Sequence, residues 1–142
     1  MEKHSHLLLK ALAKRELGTN GYEVYVEPDN SPLPMVFWRS YRPDLFGHRL
    51  TKGVERFVLV ECETNPTSAS LIRKRQKLSI PLLQLRLDIS QELAFLLVVP
   101  LGRFTEALKH GGRRFWEIWL VNPRSQEIIL KANKMLHGGG VD

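Results

Sequence analysis

The apolar stretch at residues 93–101, which reads LAFLLVVPL, most constrains how this chain can fold. It has the length of a buried β-strand closed by Pro100, and it is far shorter than the roughly 20 apolar residues of a membrane-spanning helix. With 142 residues, of which 43% are hydrophobic, the chain can bury a core, and its single cysteine excludes an internal disulfide framework. Because the N-terminus also lacks a signal-peptide pattern, we expect one cytoplasmic domain over residues 1–142 with no membrane contact.

The charge balance favours a polyanionic partner. Lys and Arg number 21 against 15 Asp and Glu, which gives a formal net charge of +6 and a pI near 9.7. A basic surplus of this kind suits nucleic acid. The alternative is a surface charged only for solubility, since a net charge of this size is ordinary for that purpose.

Hydrophobic periodicity and turn residues predict an α/β fold with the order α-β-β-β-α-β-α-β-α. Strands linked first by hairpins and then through helices imply a mixed sheet with helices on its faces. Residues 47–53 are predicted as a hairpin loop, and residues 82–89 fit either a strand or a helix. Helices are predicted over residues 4–17, 66–79, 104–110 and 125–138, and strands over residues 22–27, 35–41, 56–63, 93–99 and 115–121.

The strand over residues 56–63 carries the most informative polar residues. Side chains alternate along a strand, so Glu61 and Glu63 end the same face of an otherwise apolar segment. Asp44 follows the preceding predicted strand, which would bring it close to Glu61. Two carboxylates with open positions suit Mg²⁺ or Mn²⁺. The alternative is structural, with Asp44 in a turn and Glu61 paired with Arg42 or Arg73.

These residues resemble a known family. Arg42-Pro43-Asp44, then Glu61-Cys62-Glu63 at a strand end, then a basic helix, is similar to the PD-(D/E)XK nuclease superfamily. Its restriction-endonuclease-like members include Holliday junction resolvases and replication-associated proteins. The resemblance implies a restriction-endonuclease-like mixed β-sheet flanked by helices, with a core over about residues 4–100 and a C-terminal βα extension over about residues 101–137.

The resemblance also implies a metal site. Asp44 and Glu61 match the metal-binding acids, and the backbone carbonyl of Cys62 would add a ligand. Glu16 on the first helix could supply a further acid, and His6 on the same helix is a weaker candidate. The family usually has lysine at the position of Glu63, so Glu63 would act as a ligand or a base, while Lys74 or Lys77 could replace the lysine from the following helix.

The activity implied by the resemblance is Mg²⁺- or Mn²⁺-dependent hydrolysis of DNA by an endonuclease, which could cut two strands as a homodimer. The DNA contacts would come from Arg42, Arg73, Gln76 and Lys77. Two alternatives stay open. The missing lysine at position 63 favours an inactive nuclease-fold protein that binds DNA or a protein partner, and an unrelated α/β protein with structural acids is the other.

Overall fold

In the computed structural model, the described residues include one bounded α-helix, six β-strands and one 3₁₀ turn. The regular elements are α1 (His4–Thr19), β1 (Glu23–Tyr25), β2 (Leu45–Thr51), β3 (Val54–Cys62), β4 (Gln91–Pro100), a 3₁₀ turn (Leu101–Arg103), β5 (Glu117–Asn122) and β6 (Glu127–Ala132). The structure describes residues 4–26, 43–65, 69, 73, 90–103, 105 and 117–132.

The strands form one mixed sheet of six strands in the order β1-β2-β3-β4-β5-β6. The β1–β2, β2–β3 and β5–β6 pairs are antiparallel, whereas β3–β4 and β4–β5 are parallel. An α/β architecture with a mixed sheet is therefore confirmed. Because β3 and β4 run in parallel, their carboxyl ends lie at the same edge of the sheet.

The hairpin between β2 and β3 corrects the predicted loop over residues 47–53. Chain pairing continues through Thr51, and the turn contains Lys52 and Gly53 with φ angles of 53° and 78°. Two successive positive φ angles are those of a type I′ hairpin turn. The sequence did not indicate β2 as a strand, because glycine, here Gly47, disfavours strands and the polar residues after it are common in loops.

The β5–β6 hairpin corrects the predicted helix over residues 125–138. Residues 127–132 are a strand, and the turn before it is closed by a hydrogen bond of 2.8 Å from the Gln126 nitrogen to the Asn122 carbonyl. The Asn122 side chain also accepts a hydrogen bond from the Arg124 nitrogen at 3.0 Å. The spacing of the apolar residues fits a helix, but the turn and the pairing with β5 favour a strand here. The β-branched Ile128 and Ile129 also suit a strand.

Several other predicted elements can be compared with the structure. The predicted helix at the N-terminus and the strands that became β1, β3, β4 and β5 are confirmed within a few residues at their ends. Ala69, Arg73 and Thr105 have helical conformation, as predicted for their segments. The strand over residues 35–41, the segment over residues 82–89 and the rest of the two internal helices lie outside the described residues.

Helix α1 packs on one face of the sheet. Its buried residues are Leu9, Leu12, Ala13 and Leu17, and each buried leucine contributes about 1.5–3 kcal/mol of hydrophobic stabilisation. The residues of the sheet that pack against α1 are Val58, Val60, Cys62, Ala94, Leu96, Val98, Trp119 and Val121.

Within the described part of the chain, no helix is long and apolar enough to cross a membrane.

Candidate metal-binding site

Asp44 lies directly before β2, beside the carboxyl end of β3. Its backbone nitrogen donates a hydrogen bond of 2.9 Å to the carbonyl of Val60. Its Oδ2 atom accepts a hydrogen bond of 2.7 Å from the backbone nitrogen of Cys62. The carboxylate thus takes the place of a backbone acceptor where the pairing of β2 and β3 ends, and this bond fixes its orientation.

His6 reaches the same place from α1. It lies on the inward face of the helix, three residues before the buried Leu9 and seven before the buried Ala13. Its Nε2 atom is 3.1 Å from the carbonyl oxygen of Cys62 and 3.4 Å from Oδ2 of Asp44. The His6 and Asp44 side chains are 21% and 22% exposed, so solvent reaches both.

The two glutamates at the end of β3 occupy different environments. Glu61 is buried, with 3% exposure, and is paired in register with Leu97 of β4. Since Cys62 faces α1, Glu61 points to the opposite face of the sheet. Glu63 is half-buried just beyond the strand, where its nitrogen donates a hydrogen bond of 2.9 Å to the Val98 carbonyl.

Glu16 lies apart from this group. Its Oε1 atom accepts a hydrogen bond of 2.9 Å from Nζ of Lys131 on β6, and that ammonium lies 4.6 Å from the centre of the Trp119 ring. Glu16 is ten positions beyond His6 on α1. A helix rises 1.5 Å per residue, so their Cα atoms are separated by about 15 Å. The structure therefore does not bring Glu16 together with Asp44.

The predicted DNA-contacting and lysine positions are only partly described. Arg73 is exposed and has helical conformation. Arg42, Lys74, Gln76 and Lys77 lie outside the described residues. Arg103 is exposed in the 3₁₀ turn that follows β4, at the same edge of the sheet as Cys62.

Two oxygen donors lie close to His6 at the end of β3. Oδ2 of Asp44 and the carbonyl oxygen of Cys62 are both within 3.4 Å of a single atom, Nε2 of His6. Carboxylate and carbonyl oxygens are the donors that Mg²⁺ and Mn²⁺ prefer. Within the described ranges, no three side chains of His, Cys, Asp or Glu form a metal-binding cluster. A cation here would therefore depend on the backbone carbonyl of Cys62 as well as on side chains.

Comparison with solved structures identifies a related fold. An XisH family protein from Nostoc punctiforme matches with a TM-score of 0.50 and 12% sequence identity, over 87% of this chain and 98% of that chain. An fdxN element excision controlling factor protein from Anabaena variabilis matches with a TM-score of 0.43 and 11% identity, over 92% of this chain and 100% of that chain. No protein-family model and no curated protein matches the sequence. The likeness to the Nostoc protein concerns the fold alone.

The contact between His6 and the end of β3 is the feature that sequence reasoning missed. His6 and Cys62 are 56 positions apart, and no local motif links them. The available signal was helical phase, because His6 shares the inward face of α1 with Leu9 and Ala13. That phase indicates burial against the sheet, but it does not indicate which strand end the imidazole meets.

Proposed function

We propose that this chain is a divalent-metal-dependent DNA nuclease with a PD-(D/E)XK-type site at the end of β3. The observation that carries the proposal is that two oxygen donors, Oδ2 of Asp44 and the carbonyl of Cys62, both lie within 3.4 Å of Nε2 of His6. They are two of the donors expected from the resemblance to that superfamily, which also include Glu61. Glu61 immediately precedes Cys62 and points to the face of the sheet opposite α1, and we assign it as the second acid of the motif because of the resemblance.

The roles of the residues follow from their surroundings. When bound, Mg²⁺ or Mn²⁺ would polarise a phosphodiester and lower the pKa of a water molecule. Asp44 and the Cys62 carbonyl would hold the cation, and the hydrogen bond from the Cys62 nitrogen keeps Asp44 aimed at it. Glu63 is accessible enough to accept a proton from water, and we assign Lys74 or Lys77 to stabilising the charge that develops on the phosphate.

DNA is the proposed substrate because of the charge of the chain and the location of its exposed cations. The formal net charge is +6, and Arg103 is exposed at the edge of the sheet where the proposed site lies. Arg73, also exposed, follows β3 in the chain. Contacts of arginine with phosphates give affinity without sequence selection. We assign Arg42, Gln76 and Lys77 to the same surface, and we propose a homodimer for cutting both strands.

The decisive experiment is a cleavage assay on labelled branched, single-stranded and duplex DNA with Mg²⁺, Mn²⁺ or EDTA. Wild type is compared with Asp44→Asn and Glu61→Gln, and Glu16→Gln serves as a matched carboxylate-to-amide control away from the site. Metal-dependent cutting that the first two substitutions abolish and the control retains is the expected result. Cutting that survives both substitutions would contradict the proposed site.

A second candidate function is DNA binding without cleavage. The observation that favours it is Glu63, an acid at the position where the resembled family usually has lysine. Well-folded wild type that binds DNA, loses affinity with added salt and cuts no substrate would support this alternative. Wild type that neither binds nor cuts DNA would contradict both candidates.

A further inference from the structure

We infer that Nε2 of His6 is a third ligand of the cation, and that it gives the site a preference for Mn²⁺ over Mg²⁺. This inference rests on the proposed cation site and adds a residue and a metal selectivity to it. The observation behind it is that Nε2 of His6 lies near two oxygen donors, Oδ2 of Asp44 and the carbonyl oxygen of Cys62.

The spacing of these atoms is that of ligands sharing one ion. Nε2 is 3.1 Å from the carbonyl oxygen and 3.4 Å from the carboxylate oxygen. Two ligands that are each about 2.1 Å from an ion lie about 3.0 Å apart at a right angle and about 3.4 Å apart at the tetrahedral angle. Each oxygen is therefore at a distance from Nε2 that suits shared coordination of one ion.

The backbone around His6 favours this arrangement over a chance contact. Leu9 and Ala13, on the same face of α1, are 2% and 0% exposed. They hold the first turns of the helix against the sheet, which fixes where the imidazole can reach. Asp44 is held in turn by its hydrogen bond to the Cys62 nitrogen, so all three donors are attached to packed elements.

The metal-free contact also explains how the site stays assembled. A carbonyl oxygen can only accept a hydrogen bond, so Nε2 of His6 carries the proton in its contact with Cys62. On metal binding, the neutral ring would change tautomer: the Nε2 proton would go to solvent, Nδ1 would take up a proton from solvent, and the Nε2 lone pair would face the ion. A proton and a metal ion would thus hold the same three groups together.

The selectivity follows from the chemistry of the nitrogen. Mg²⁺ strongly prefers oxygen ligands, whereas imidazole nitrogen is a good ligand for first-row transition metals. A site with two oxygens and one imidazole should therefore bind Mn²⁺ more tightly than Mg²⁺. Replacing the imidazole by an amide that coordinates through oxygen should remove most of that difference.

The test measures metal binding directly, without DNA. Mn²⁺ binding is measured by electron paramagnetic resonance of the free ion, with Mg²⁺ as competitor, for wild type, His6→Gln, Asp44→Asn and His4→Gln. His4 is exposed on the same helix, so its variant is the matched control. We expect His6→Gln to weaken Mn²⁺ binding by about tenfold while changing Mg²⁺ binding much less. Pulsed measurements should show ¹⁴N coupling from a bound imidazole in wild type and His4→Gln but not in His6→Gln.

The outcomes separate this inference from the proposed function. If Asp44→Asn abolishes Mn²⁺ binding while His6→Gln leaves affinity, selectivity and ¹⁴N coupling unchanged, the cation site stands and the role of His6 is wrong. If wild type binds neither metal, the proposed metal-dependent function is itself overturned, together with this inference. Circular dichroism of each variant checks that a loss of binding is not a loss of fold.

Discussion

The carboxylate of Asp44 accepts a hydrogen bond from the backbone nitrogen of Cys62 at 2.7 Å, and the two residues are 18 positions apart in the chain. This bond closes the end of the β2–β3 hairpin. It also holds one carboxylate oxygen beside the Cys62 carbonyl, where the proposed cation binds. Asp44 therefore has a structural role that must be separated from its proposed role as a ligand.

Two substitutions at Asp44 separate these roles. Asp44→Ala leaves the nitrogen of the buried Cys62 without its acceptor, and we expect it to lower the free energy of unfolding by about 1–3 kcal/mol. Asp44→Asn keeps an oxygen acceptor but removes the charge, so it should cost less than about 1 kcal/mol and still lose metal binding. Urea denaturation and Mn²⁺ titration measure the two effects. Equal destabilisation by both substitutions would show that the hydrogen bond depends on the carboxylate charge.

Substitution of Glu16 tests the separation of the two ends of α1. Glu16→Gln removes the ion pair with Lys131, in which the side chains are 33% and 21% exposed. Exposed pairs of this kind are worth about 1 kcal/mol or less. We expect a small loss of stability and no change in Mn²⁺ affinity, measured by the same titration. A clear loss of metal binding would place Glu16 within reach of the site.

The turn between β2 and β3 predicts opposite effects of two substitutions. Gly53 has a φ of 78°, where a Cβ atom is unfavourable, so Gly53→Ala should destabilise the protein by about 1–2 kcal/mol. Lys52 has a φ of 53°, a conformation that asparagine adopts more readily, so Lys52→Asn should raise the melting temperature. Thermal unfolding of both variants checks this prediction. An unchanged melting temperature for Gly53→Ala would contradict the type I′ assignment.

Tyr22 predicts a loss of stability at high pH. Burial raises the pKa of its phenol above the usual value of 10, while the guanidinium of Arg49, 4.6 Å from the ring centre, opposes that shift. The native state then keeps the phenol proton at a pH where the unfolded chain releases it. The stability from this group is present below pH 10 and falls as the pH rises through the native pKa.

The measurement for Tyr22 compares urea unfolding of wild type and Tyr22→Phe between about pH 9 and about pH 11. The wild-type free energy of unfolding should fall more steeply with pH than that of the variant. Parallel curves for the two proteins would contradict a raised pKa of Tyr22 in the native state.

The parts of the fold that could be predicted are those whose burial pattern is strong. The strands β3 and β4 are long apolar runs, and α1 has an inward face of leucine and alanine, so local sequence is sufficient to identify them. The strands β2 and β6 could not be recognised in the same way. β2 contains Gly47 and polar residues, and β6 has apolar residues whose spacing also fits a helix. Their conformation depends on pairing with β3 and β5, which a local pattern does not report.

The candidate site was predictable to a similar extent. The sequence predicts that Asp44 lies close to Glu61. In the structure, the hairpin brings Asp44 beside the backbone of Cys62, while Glu61 points to the face of the sheet opposite α1. The sequence also suggested Glu16 as a further acid, because its helix precedes the strands, but Lys131 holds it elsewhere. The position of His6 depends on where α1 crosses the sheet. That crossing is set by packing between residues far apart in the chain, and one sequence does not reveal it.

The mixed sheet has a consequence for the order in which the protein folds. The hairpins β2–β3 and β5–β6 join neighbouring segments, whereas the central pair β3–β4 joins residues 36 positions apart, such as Glu55 and Gln91. The entropic cost of closing a loop grows with its length, so we expect the hairpins to form before the centre of the sheet. Asp44 and Cys62 would meet early, within the β2–β3 hairpin, and His6 would reach them only when α1 docks on the sheet. Two of the three proposed ligands would thus be in place in the nascent hairpin, and the third would arrive with the tertiary fold.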